Sequence, residues 1–145
     1  MDIQIITEPF QLDIYGFGRT ATNKNYVETA FKLSGKMWEV VKANDLKNKG
    51  KNIWVYETAD RVFAGVELDN PAGNNFGLEK ITIDIRKYGY FKHIGAYNLI
   101  KQTGQWMTDE LTKRGYEIVF PCIEIYGHWN KDESKSETEL IMCLK

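Results

Sequence analysis

Glu124 stands in the run EIVFPCIEIY, Glu117–Tyr126, among apolar and phenolic neighbours. Side chains alternate faces along a strand, so Ile118, Phe120, Cys122, Glu124 and Tyr126 share one side. Val119, Ile123 and Ile125 take the other. Both sides are apolar, the pattern of a covered central strand. An ionised carboxylate there is costly unless something answers its charge. Glu124 is therefore half of an internal pair with Lys, Arg or Tyr, a group that reaches solvent at the sheet's end, or the acidic centre of a site.

Other chemistries fail on spacing. Cys122, Glu124 and His128 would point the same way if the strand ran on through Gly127. At about 3.3 Å per residue, however, Cys122 and His128 lie roughly 20 Å apart, too far for one ion. No metal is expected. His93, isolated in YFKHIG, reads as a hydrogen-bonded structural or rim histidine, and no Ser-His-Asp or Cys-His arrangement can be drawn. Cys122 and Cys143 match no zinc or redox motif and read as reduced thiols of a cytoplasmic protein. Gly16-Phe-Gly18-Arg-Thr-Ala21 satisfies the dinucleotide fingerprint on paper, but the following helix starts too late and no doubly wound pattern surrounds it. A bulge or close backbone approach within a strand is expected instead. No cofactor is implied.

Aromatic residues are in excess, with four Trp, eight Tyr and seven Phe in 145 residues. Trp54 and Tyr56 share a strand face, as do Tyr15 and Phe17. Phe31 and Trp38 flank a helical stripe and belong to the margin of the core. Trp106 falls off the main stripe of its helix and is free to face a pocket. Trp129, in the polar loop GHWNKDESKSE, could act as a lid.

The elements that position these groups follow from periodicity. FQLDIYGFGRTA, Phe10–Ala21, reads as a strand. Tyr26, Ala30, Leu33, Met37, Val40 and Val41 then mark one face of a helix that ends at Asn44–Asp45. NIWVYET and RVFAGVELD form a hairpin across Ala59–Asp60, and DNPAGNNFG is a clear loop. Strands over Leu78–Arg86 and Tyr88–Gly95 precede a second helix, Tyr97–Arg114, stopped by Gly115. Glu117–Tyr126 and Glu137–Leu144 close the chain as a second hairpin. Each half thus contains a βαββ unit, over about 1–70 and 78–145, an internal repeat within a single α+β domain of residues 1–145. Two such units give a curved antiparallel sheet with two helices on one side and a ligand cleft on the other.

Composition limits the function classes. The hydrophobic fraction of 43% and charged fraction of 27% are ordinary for a globular domain. A formal net charge of -1 argues against direct nucleic-acid binding. No apolar run reaches the roughly 18 residues of a membrane span and no secretory signal opens the chain, so a cytoplasmic protein without membrane contact is expected.

YFKHIGAY, the helix after it and PCIEIY together resemble the GyrI-like small-molecule-binding domain, also the effector-binding domain of AraC- and MerR-type multidrug-responsive regulators. The resemblance rests on His93, Gly95 and Tyr97; Gly115-Tyr116; Pro121, Glu124 and Tyr126; and Glu137, Leu140, Met142 and Leu144. Ala96 replaces the family's usual proline, and only Trp106 meets its aromatic positions in the second helix. No room for a helix-turn-helix precedes Phe10, so a free-standing bacterial module is expected, monomeric or weakly dimeric.

The resemblance implies non-enzymatic binding of small hydrophobic, cationic aromatic ligands, with Glu124 as the acidic centre. Tyr126, Trp106, Phe120, Tyr97, Trp54 and Trp129 are the expected ligand contacts. Two other functions follow from relatives of the family. One is hydrolysis of electrophiles such as cyclopropane-containing genotoxins, with Glu124 as base. The other is protein interaction, as in a modulator of DNA gyrase.

Overall fold

The computed structural model describes residues 2–69, 75–127 and 131–145. Its strands are β1 (Gln4–Ile6), β2 (Phe10–Thr20), β3 (Asn52–Tyr56), β4 (Arg61–Val66), β5 (Glu79–Ile85), β6 (Tyr88–Ile94), β7 (Ile118–Tyr126) and β8 (Glu137–Leu144). Helix α1 spans Tyr26–Ala43 and α2 spans Ile100–Lys113. The helix expected from Tyr97 is split, since Tyr97–Leu99 forms a single 3-10 turn ahead of α2. Strand β1 was not foreseen. Of the expected loop Asp69–Gly77, residues 70–74 lie outside the described residues.

All the strands join one eight-stranded sheet in the order β1-β6-β8-β7-β3-β4-β2-β5, and every ladder is antiparallel. The repeat is visible in that order. In the first half β4 sits between β2 and β3, and in the second β8 sits between β6 and β7. The halves meet along β3 and β7. Their leading strands are exchanged: β1 adds to β6 of the second half, while β5 adds to β2 of the first. Long-range ladders of this kind leave no local signature in sequence.

The glycines of the fingerprint-like run sit in β2 with Gly16 opposite Gly65 of β4. A Cβ on Gly16 would overlap the Ala64 carbonyl oxygen, so the residue is required by close backbone approach.

The sheet curls strongly. Laid flat, β2 and β6 would stand five strand spacings apart, about 24 Å. Yet the rings of Phe10 in β2 and Tyr88 in β6 have centroids 5.7 Å apart. The concave face so formed is largely filled by a buried cluster that includes Ile14, Val55, Phe63, Ile123 and Ile141. Both helices lie on the opposite, convex face. Ala30 and Leu33 of α1 pack with Trp54, Val62 and Ala64, while Met107 and Leu111 of α2 pack with Leu140 and Leu144. Met37, Met107 and Leu111 are fully buried, and each such side chain contributes roughly 1.5–3 kcal/mol. The α+β architecture matches the sequence reading, but Glu124 and its aromatic neighbours lie on the helix-bearing face. The concave face keeps only a hollow, which does not include Glu124.

Candidate functional site

The floor of the candidate site is a grid set by strand register. Trp54 of β3, Glu124 of β7, Leu140 of β8 and Phe91 of β6 form one row across the ladders. Asn52, Tyr126, Thr138 and His93 form the row on one side. Tyr56, Cys122 and Met142 form the row on the other. Because side chains two apart share a face, Glu124 is bracketed by the phenols of Tyr56 and Tyr126.

Both phenols donate to the same carboxylate oxygen. Tyr56 Oη and Tyr126 Oη each lie 2.8 Å from Glu124 Oε1. Among the described residues no donor reaches Oε2, and no Lys, Arg or His comes within 4.0 Å of the carboxylate. Burial raises the Glu124 pKa above its ordinary value of 4.5, and the hydrogen bonds from Tyr126 and Tyr56 pull it partly back. The two phenols are pushed above their ordinary value of 10.0, first by burial and then by the Glu124 charge, so they remain protonated donors. Burial likewise holds the Cys122 thiol up at about 11, which makes it a poor nucleophile.

Around this carboxylate the aromatic rings form a continuous row from one helix to the other. Phe31 of α1 packs edge-on against Trp54 at 5.0 Å, Trp54 lies 4.8 Å from Tyr126, and Tyr126 lies 5.6 Å from Tyr97. Tyr26 of α1 meets Tyr56 at 6.3 Å. The ends of the row are open: Phe31 is 64% exposed and Tyr97 42%. Val27, one turn before Phe31, and Leu99, beside Tyr97, extend this exposed apolar rim. Exposed aromatics at the mouth of a buried charge distinguish this region from ordinary core. Three further polar atoms on the floor are buried and lack a hydrogen-bond partner among the described residues: Asn52 Oδ1, Trp54 Nε1 and Thr138 Oγ1.

His93 holds the Tyr97 segment in place. Its Nδ1 lies 2.9 Å from Thr103 Oγ1 in α2, and its Nε2 donates to the Ala96 carbonyl at 3.1 Å. The buried imidazole thus ties β6 to the turn that carries Tyr97 and to α2, the structural role expected of it.

Of the residues singled out from sequence, Glu124, Tyr126, Trp54 and Tyr97 come together. Phe120 does not, although strand alternation placed it on the Glu124 face. The ladder slips between Ile118 and Cys122, where four residues of β7 span only two of β8. Phe120 lines the concave hollow with Val55 and Ile83. Trp106 packs on Phe91 at 5.0 Å and borders the same buried cluster as Tyr126. Strand β6 is two ladder steps from Glu124, about 10 Å away. Trp129 and His128 lie outside the described residues. Tyr56, Phe31 and Tyr26 went unassigned to the site from sequence; Tyr56 was detectable as the neighbour of Trp54 on one strand face. Among the described residues, no group of three His, Cys, Asp or Glu is arranged to hold a metal ion. No helix there is long and apolar enough to cross a membrane.

The sequence profile of the GyrI-like small molecule binding domain matches residues 1–145. Among solved structures, SAV2435 bound to tetraphenylphosphonium is similar with a TM-score of 0.72 and 18% identity, over 100% of this chain and 94% of that one. The C-terminal domain of EcmrR is similar with a TM-score of 0.76 and 16% identity, over 100% and 99% of the two chains. A hydrolase from Listeria innocua is similar with a TM-score of 0.59 and 10% identity, over 99% and 91%. At these identities the likeness is one of fold. No curated protein matches the sequence.

Proposed function

The chain belongs to the GyrI-like family of small-molecule binding domains, and from that premise we propose that it takes an aromatic cation between its two helices, with Glu124 as the counter-charge. One observation carries this reading: a buried carboxylate without a cationic partner among the described residues, inside a row of aromatic rings. Tyr56 and Tyr126 hold Oε1 and leave Oε2 for the ligand. The exposed rings of Phe31 and Tyr97 offer faces to a ligand, each contributing about 0.5–2 kcal/mol to a cation held over it, and Trp54 and Tyr126 back them from below. Charge and stacking constrain ligand shape less than directed hydrogen bonds do, so a broad ligand range is expected. The neighbour SAV2435 was solved with tetraphenylphosphonium, a cation of this class, which supports the reading.

A hydrolytic reading draws on the same carboxylate, because a raised pKa makes Glu124 a better general base near neutrality. A hydrolase of Listeria innocua shares the fold. Binding is the better supported of the two, since a neighbour of the same fold was solved with such a cation, while the phenols of Tyr56 and Tyr126 are engaged as donors to Glu124 itself. Titration with tetraphenylphosphonium, followed by tryptophan fluorescence, tests it. Saturable quenching is expected, and its absence at millimolar cation overturns the proposal. Turnover of an electrophilic substrate that disappears in Glu124→Gln would favour the hydrolase.

A further inference from the structure

We propose a second binding site, on the sheet face opposite Glu124, for a small primary ammonium ion that carries a compact apolar group. A hollow of about 320 Å³ opens there, within the size range of small-ligand sites. Val55, Ile83, Phe120 and Pro121 give it apolar walls, and Phe120 is 54% exposed within it.

The hollow follows the outer edge of β5. All five residues from Ile81 to Ile85 line it, although successive side chains on a strand point to opposite faces. Only a space beside the strand touches both sets. That edge has no partner strand, because β5 ends the sheet and pairs with β2 alone among the described residues. Its outward carbonyl and N–H groups are therefore available to a ligand.

The charge of the site is one-sided. Among the described residues, Glu57 and Asp84 line the hollow and no Lys or Arg does. Asp84 is paired with Arg86 in solvent, 3.3 Å away. Glu57 makes no ion pair among the described residues, and its Oε1 is buried without a hydrogen-bond donor. A buried acceptor left unpaired is destabilising, and an ammonium ion supplies three N–H donors. One answers the Glu57 carboxylate, whose Oε1 must turn out of its buried position into the hollow, and the others reach carbonyls along β5, while the apolar group fills the space beside Phe120 and Pro121. A quaternary cation has no N–H and cannot make these bonds. The two faces of the sheet would then sort cations by whether they carry N–H donors.

The test is a titration of the full chain with phenethylammonium, followed by amide chemical shifts. Saturable shifts in β5 and around Phe120 are expected, with a dissociation constant on the order of 1 mM for so small a probe. In the unaltered protein, 2-phenylethanol and phenethyltrimethylammonium should fail to saturate the same shifts. Glu57→Gln should weaken phenethylammonium about 10-fold or more, as loss of a charge-assisted hydrogen bond requires. Phe120→Ala, an exposed truncation, should also weaken it. Shifts confined to residues around Glu124, equal binding by the quaternary analogue, or unchanged affinity in a folded Glu57→Gln variant would each overturn the proposal.

Discussion

Replacing Glu124 by Gln removes the charge and keeps the shape of the side chain. The amide oxygen can still accept from Tyr56 and Tyr126, which lie 2.8 Å from Oε1 in the native protein. The electrostatic loss follows from distance. In tetraphenylphosphonium the charge is shielded by four rings, so about 5 Å separates it from the nearest carboxylate oxygen. At an effective dielectric constant near 20 that is worth about 3 kcal/mol. Part of this is offset, because burial raises the Glu124 pKa and binding must then draw a proton off part of the population. A net loss of about 1.5–2.5 kcal/mol remains, or roughly 10–70-fold in affinity. Calorimetry and tryptophan quenching across pH supply two readings of it. Native affinity should rise with pH through the raised Glu124 pKa and then level off, whereas the Gln variant should stay flat. An uncharged aromatic ligand should bind both equally. Equal affinity of the two proteins for the cation, or a native pH profile as flat as the variant's, would refute the assignment of Glu124 as counter-charge.

The same substitution bears on stability with a definite sign. The native Glu124 pKa lies above the unfolded value, so the native state holds more protons between the two and stability falls as pH rises through that window. Glu124→Gln should melt higher than the native protein at pH 7, and the gap should close below about pH 4, where both states are protonated. Phe31→Ala removes a side chain that is 64% exposed. Thermal unfolding should barely move, by no more than about 0.5 kcal/mol, while cation affinity drops about 3–10-fold with the lost ring face. Gly16→Ala forces a Cβ against the Ala64 carbonyl, and chemical denaturation should show a loss of about 2–3 kcal/mol.

The helices and most strands were legible because their signals are local. The stripe of Tyr26, Ala30, Leu33 and Met37 defines α1 by itself, and alternation defines β5. The buried carboxylate was legible for the same reason, since Glu124 interrupts an apolar strand. Which side of the sheet it faced was not. Strand β7 is apolar on both sides, so alternation separates its two sets of residues without saying which set the helices cover. Phe120 shows the limit of alternation from another direction. A ladder slip between Ile118 and Cys122 moves one side chain to the far face, and its signal in EIVFPCIEIY is Pro121, which cannot donate to a ladder and marks a bulge. Trp106 was placed by its angle on α2, but the strand beneath it is set by ladder order, a non-local property. Phe31 looked like core margin, and it became part of the aromatic row only once α1 was fixed over Trp54.

The exchange of β1 and β5 makes the two halves a clasp. Each half lends a strand across the pseudo-symmetry axis, so neither, cut out of the chain, retains its own edge. A fragment ending before β5 leaves β2 uncovered on one side, and its counterpart leaves β6 bare where β1 had been. Co-expressed, the two fragments present complementary openings and can lock into the original circuit. Expressed alone, a half can regain that closure only by meeting a second copy of itself and trading strands with it.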